Sequence, residues 1–204
     1  MMARPREFDE GNAIGKATAV FLDKGYENAS LPDLLDGMGL TRGSLYKAFT
    51  DKKTLYLRVI EHYETTAVAG AVQMLTDPAQ PDGRRRILSL FDGLKSAHDA
   101  GKARGCLLCT AAAGVEMHDP EIARSVTTQL ERMKTGFAQA LAASPEHTGW
   151  SSEDRDMLAC ALLAHYTGLR VLSRAALPLG VVETSLAGVA VLLGMTGMAQ
   201  GAAP

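Results

Sequence analysis

The chain has 204 residues, enough for one large domain or for a small domain attached to a larger one. Apolar residues make up 47% and charged residues 22%, and the most hydrophobic tract, Val181 to Met198, is broken by Glu183, Thr184, Ser185 and glycines. Spanning a bilayer takes roughly 20 apolar residues, so no membrane segment is expected, and a formal net charge of −2 excludes a polycation.

In chain order, the N-terminus MMARPREFDEG has no apolar stretch behind its arginines, so no signal peptide is expected and the cytoplasm is the expected location. Residues 1–60 hold nine Lys/Arg against eight Asp/Glu, leaving any nucleic-acid contact to a local patch. Ile14, Ala17, Val20 and Phe21 line one face of a first helix that stops at Gly25. Leu31, Leu34, Leu35 and Met38 form the apolar stripe of a short second helix, with Ser30 as its cap and Pro32 in its first turn. Gly39 falls where the chain must reverse, and glycine accepts positive φ there without penalty. Thr41 caps a third short helix, with Leu45 and Phe49 facing the core and Arg42, Gly43, Ser44, Tyr46 and Lys47 facing outward. Small, hydroxylic and basic residues on an exposed short helix suit a recognition helix in a major groove; two short amphipathic helices around a glycine also occur in ordinary bundles.

A long helix from Asp51 carries Leu55, Val59 and Tyr63 along its inner face. Thr76–Gly83, with two prolines and a glycine, is a loop. Helices are then expected over Arg84–Ala100, from Cys106 to His118, and from Pro120 (capped by Asp119) to about Ala143. After a loop closing in a Ser151 or Ser152 capping box, two last helices cover Glu153–Ala176 and Val181–Ala199. With strand signals nearly absent and no internal repeat, the fold class is all-α, with about nine helices.

Phe21, Gly25-Tyr26, Ser30, Leu34, Gly39, Leu40-Thr41, Gly43, Leu45-Tyr46, Phe49, Lys52 and Leu55, taken in order, resemble the N-terminal domain of the TetR (tetracycline-repressor) family of bacterial transcription regulators. Met38-Gly39-Leu40-Thr41 stands where the family's turn reads alanine-glycine-valine and ends in serine or threonine, and Leu35 and Met38 add bulk there. The resemblance implies a three-helix helix-turn-helix domain over residues 1–50 and a helical effector-binding and dimerisation domain over residues 51–204. It implies a homodimeric regulator, most often a repressor, that holds double-stranded palindromic operator DNA and is released by a small-molecule effector. Thr41, Arg42, Gly43, Ser44, Tyr46 and Lys47 are then the recognition surface, and Ser30 and Lys52 hold phosphates. The segment ARPREFD resembles the family's basic arm, which makes Arg4 and Arg6 minor-groove candidates.

The resemblance further implies dimerisation through the last two helices, with Leu158, Leu162, Leu163 and Tyr166 on one and Leu186, Val189, Ala190, Leu193 and Gly197 on the other; the lesser alternative is that these stripes are protomer core. Candidate effector-lining residues are Phe91, Cys106, Cys109, Met117, Met133, Phe137, His165, Tyr166 and Leu169, each of which also fits plain core, while Arg170 is a polar exception needing a partner or ligand. Gly105-Cys106-Leu107 resembles a TetR subgroup some of whose members respond to electrophiles, oxidants or unsaturated small acids; Cys109 is not part of that subgroup's motif. Three cysteines are too few for a secreted disulfide framework, so Cys106 is either a reactive thiol or a small buried hydrophobe. Cys106-x-x-Cys109 inside a helix lacks the ligand spacing of a zinc knuckle, even with His98 and His118 nearby, so no metal or cofactor is expected. No catalytic set stands at usable spacing, so no enzyme is expected.

Overall fold

A computed structural model describes residues 9–101, 105–175 and 178–195. Among these residues all regular structure is helical, and no helix is long and apolar enough to cross a membrane. Helix α1 is Glu10–Asn28, α2 is Leu31–Met38 and α3 is Arg42–Ala48. Helix α4 starts as Lys52–Tyr63, passes through a π segment, Glu64–Val68, and ends as Ala69–Thr76. Then come α5 (Gly83–Asp99), α6 (Leu107–Ala112), α7 (Pro120–Ala142), α8 (Ser152–Arg174) and α9 (Leu179–Leu192). Counting α4 once, that makes nine α-helices among the described residues.

The helix starts follow from side-chain caps. Asp9, Ser30, Thr41, Asp51, Asp82, Asp119 and Ser151 each accept a backbone N–H from the first turn that follows. Ser30 and Asp33 form a reciprocal capping box. Within α1, Gly25 takes φ 75° and ends the regular part where expected, although the chain stays helix-like to Asn28. Gly39, at φ 68°, makes the left-handed turn from α2 into α3.

Two helices differ from expectation. The helix foreseen over 106–118 is short: α6 stops at Ala112, the Gly114 N–H returns to the Ala111 carbonyl, and Val115–His118 is a 3₁₀ turn. Gly114 permits this because a methyl there would lie 1.9 Å from Glu116 Oε2. Cys106 is therefore the N-cap of α6, with extended backbone, rather than a first-turn residue. The last helix ends at Leu192, where Gly194 turns the chain at φ 69°, and the rest of its expected span lies outside the described residues.

α1 to α3 pack around Phe21, Leu34, Leu45 and Phe49, all buried. Phe21 and Tyr26 meet Tyr56 of α4 at centroid distances of 4.8 and 4.7 Å, which roots α4 in the same core. The second half of α4 packs on α5 and α7, and α7 lies along α8. Tyr166 meets Phe91 and Phe137 edge to face at the centre of that second bundle.

Candidate DNA-binding surface and effector cavity

The expected recognition residues come together on one outward face. Thr41, Arg42, Gly43, Tyr46 and Lys47 are exposed, whereas Leu45 is buried and holds α3 against α1 and α2. Ser44 is half-buried: its N–H donates to Thr41 Oγ1 at 3.2 Å and the two hydroxyls lie 2.9 Å apart. The Arg42 guanidinium sits 5.8 Å from the Tyr46 ring centroid, which orients it outward. Lys52 is less free than expected, because its ammonium donates to the Glu27 carbonyl at 3.2 Å and lies over the Tyr26 ring. The Ser30 hydroxyl is likewise engaged, donating to Asp33 Oδ2 at 2.6 Å. Asp33, bonded to Lys24 and Ser30, has its carboxyl held down to about 2, so a charged carboxylate already caps the start of α2. Arg4 and Arg6 lie outside the described residues.

Gly43 singles out α3 as a surface that something else approaches. A Cβ built there meets nothing within 4 Å, so packing within the chain does not require the glycine. Glycine in a helix is about 0.5–1 kcal/mol worse than alanine. Gly43→Ala should therefore keep or raise thermal stability while weakening DNA binding; equal DNA affinity for the two proteins would remove Gly43 from the interface.

The second site is a small cavity of about 30 Å³ between α4, α6, α7 and α8, enough to admit a water molecule. Of the nine expected lining residues it takes Cys106, Met133 and Tyr166. Phe91 and Phe137 stand behind Tyr166 in the aromatic cluster, and Leu169 is buried core. His165 faces α9 instead, its Nε2 lying 2.9 Å from the Ser185 carbonyl oxygen. Met117, in the 3₁₀ turn, and Cys109 do not line the cavity. Tyr63, Ala67, Thr167 and Leu130 line it without having been foreseen. Their only sequence signal was helical phase, and the π segment in α4 shifts that phase.

The polar group at the cavity is Arg170. It donates to the Tyr63 hydroxyl at 3.0 Å, the Gly105 carbonyl at 2.5 Å and the Tyr166 hydroxyl at 3.4 Å. All are neutral oxygens, and among the described residues no carboxylate pairs with it. The neighbouring Cys109 side chain lowers the pKa of the Cys106 thiol against the effect of its burial, and Arg170 and the Tyr63 hydroxyl act in the same direction. Cys109, whose thiol donates to the Thr167 carbonyl at 3.8 Å, moves the opposite way, raised by the neighbouring Cys106 and by burial.

Arg174, one turn beyond Arg170 on α8, joins this region to the first domain. It donates to the carbonyls of Leu22 and Asp23 on α1 at 2.5 and 2.7 Å. Tyr56 of α4 donates to buried Glu116 at 3.4 Å, and Lys53 bridges Asp119 and Glu121 at 2.8 and 2.9 Å. None of these seam partners was legible, since each pair is separated by 60 residues or more.

Comparison with known proteins agrees with this arrangement. Residues 14–59 match the family described as bacterial regulatory proteins, tetR family. The uncharacterised HTH-type transcriptional regulator YezE of Bacillus subtilis is 30% identical over 161 residues, 78% of this chain and 82% of its own. The chain belongs to the TetR family. It is thus a transcriptional regulator, from a family whose members are not enzymes. Another relative, the HTH-type transcriptional repressor BdcR of Escherichia coli, is 32% identical over 126 residues, 62% of this chain and 61% of its own. Among solved structures, a cysteine mutant of the TetR-family regulator CifR in complex with 26-base-pair operator DNA superposes with a TM-score of 0.79 at 25% identity, covering 95% of this chain and 100% of that one. The reduced form of Escherichia coli NemR shares the TetR fold, with a TM-score of 0.68 at 18% identity over 87% of this chain and 93% of that one.

Proposed function

We propose that the chain is a homodimeric, ligand-responsive repressor of the cytoplasm, which binds a palindromic operator and releases it when a small-molecule effector enters the cavity at Arg170. Residues 1–50 form the DNA-reading unit and residues 51–204 the effector and dimer unit, with α4 crossing between them. The observation that carries the reading is the outward face of α3, whose packing-free glycine lies between Arg42 and Tyr46. CifR, the relative solved on operator DNA, supports it. The cavity is small, about 30 Å³, so a bulky effector must spread α4 from α8. That movement pulls on Arg174 and α1 and changes the spacing of the two recognition helices. A coupling of about 1–3 kcal/mol changes operator occupancy roughly 5–150-fold.

Support for the dimer comes from α8 and α9, on a different face from the one expected. Leu162, Tyr166, Val189 and Leu193 turn inward and are buried within the protomer. Outward along α8 run Met157, Ala161, Ala164 and Val171, spaced four, three and seven apart, with Met157 64% and Val171 54% exposed. Val191 of α9 adds to this apolar face at 61% exposure. The two stripes differ by one residue, about 100° of helix rotation.

The test combines both parts. Sedimentation at micromolar concentration should show a dimer, and the protein should retain the DNA upstream of its own gene in preference to random DNA. Met157→Glu with Ala161→Glu should yield a folded monomer whose operator affinity drops sharply, since one helix-turn-helix makes few contacts. A protein that is monomeric throughout, or that treats all DNA alike, would overturn the reading.

A further inference from the structure

We propose that Arg174, a residue outside the DNA-reading unit, determines which half-site spacing the dimer accepts, by fixing how α1 to α3 sit on the second domain. The spacing half of this statement rests on the function proposed above; the positioning of α1 to α3 stands on its own.

The end of α1 creates the need for it. Gly25, at φ 75°, stops the regular helix, so the carbonyls of Leu22 and Asp23 fall in its last turn, where intrahelical N–H partners run out. Arg174 Nη1 donates to the Leu22 carbonyl at 2.5 Å and Nη2 to the Asp23 carbonyl at 2.7 Å. A planar guanidinium that holds two successive carbonyls fixes direction as well as distance, and its charge faces the negative end of the helix dipole. Among the described residues no other hydrogen bond or ion pair joins α1, α2 or α3 to anything beyond α4.

Arg174 is itself seated. Gly105, at φ 79°, leaves room for its stem, since an added Cβ there would lie 3.2 Å from Arg174 Cδ. Thr110 of α6 lies 3.5 Å from the guanidinium, and an added Cβ at Gly25 would lie 3.9 Å from the Thr110 methyl. The carbonyl of the same Gly105 accepts from Arg170, one turn earlier on α8 and in the wall of the effector cavity. Gly105 therefore lies against both arginines, and a displacement of Arg170 moves the seat of Arg174.

The first three helices move as one piece, because Phe21 of α1 shares its core with Leu34, Leu45 and Phe49. The other polar ties across the seam start from α4: Tyr56 to Glu116, and Lys53 to Asp119 and Glu121. Apolar packing of α1 on α6 remains without Arg174, but such packing is non-directional. Loss of the Arg174 bonds thus leaves the piece free to turn about α4. In a dimer that turn alters both the separation and the mutual rotation of the two α3 helices. One base pair of spacer shifts a half-site by about 3.4 Å and about 34°, so a dimer held at one angle accepts one spacing.

The experiment compares full-length wild type with Arg174→Met, which keeps the apolar stem and removes the donors, and with Arg174→Lys, which keeps charge and a donor. Wild type first selects its operator from a randomised DNA library, and the spacer of that operator is then lengthened or shortened by one base pair. Wild type should prefer the selected spacing by roughly tenfold or more. Arg174→Met should cut that preference to about threefold or less, and Arg174→Lys should restore most of it. Affinity for an isolated half-site, the dimer in sedimentation and Tm should be the same in all three proteins. In the DNA-free protein, residual dipolar couplings of α1 to α3 should share one alignment tensor with α5, α7 and α8 in wild type, and fit a weaker one of their own in Arg174→Met. Equal spacing preference in wild type and Arg174→Met overturns the specificity role. Equal loss on the isolated half-site, or a fall in Tm, makes Arg174 a prop of α1 and overturns it too. A shared tensor in both proteins overturns the positioning itself. Should the library return no enriched sequence, the regulator reading fails instead, and the couplings still judge the positioning.

Discussion

Arg42→Ala is expected to lower affinity for the operator by about 1–3 kcal/mol, roughly 5–150-fold, while affinity for random DNA changes little. Arg42 is the first residue of α3, where a helix lying in the major groove reaches base edges. It is exposed, stacked on Tyr46, and among the described residues has no carboxylate partner to lose on binding. Lys47, in the last turn of the same helix, is placed for a phosphate. Lys47→Ala should therefore weaken operator and random DNA together and reduce the slope of log affinity against log salt by about one. Titrations of both variants on both DNAs at several salt concentrations separate the two roles. Equal loss on both DNAs for Arg42→Ala would make it a backbone contact and move base reading elsewhere.

Gly83→Ala is expected to destabilise the fold by ~3 kcal/mol or more, lowering Tm by roughly 6–12 °C in a chain of this size. Gly83 opens α5 against the backbone of α7 at Ala140. A Cβ there would lie 1.6 Å from the Ala140 carbonyl oxygen and 2.5 Å from its carbon. Both are backbone atoms, so no rotamer change relieves the clash and the helices must separate. Gly93 is the control: it lies in the same helix, exposed, with nothing within 4 Å of an added Cβ. Gly93→Ala should raise stability by up to about 1 kcal/mol. Thermal and chemical unfolding of the pair measures the contrast, and comparable stability for both would mean that α5 and α7 lie farther apart than described.

The reading of α2 and α3 from sequence succeeded because its signals are local. Ser30, Gly39 and Thr41 each act on backbone within four residues, and Leu34, Leu45 and Phe49 have only one core to face. The second domain was harder for stated reasons. Gly114 lies in an alanine-rich run that reads as helix, and only the returning Glu116 side chain shows why the helix stops. α8 carries apolar residues on two faces, so periodicity could not decide which stripe, Leu162 and Tyr166 or Met157 and Ala161, points into the protomer. The cavity draws Tyr63, Cys106 and Arg170 from three distant helices, and no spacing along the chain reports such a meeting. Arg170 was recognisable as a charge in need of company, but its company was two tyrosines, a carbonyl and a thiol.

The π segment of α4 has a consequence for how the two units are aligned. One stripe of buried residues along this helix runs Leu55, Val59, Tyr63, Val68, Leu75, with a step of five between Tyr63 and Val68. In an unbroken α-helix that step would swing the second stripe away from the first by more than a quarter of a turn. The wider π turn absorbs the surplus residue, as an offset coupling joins two shafts. Deleting one residue within 64–68 should then turn the π segment into ordinary α-helix and leave the two stripes in line, whereas inserting one there should mis-set the halves by about 100°.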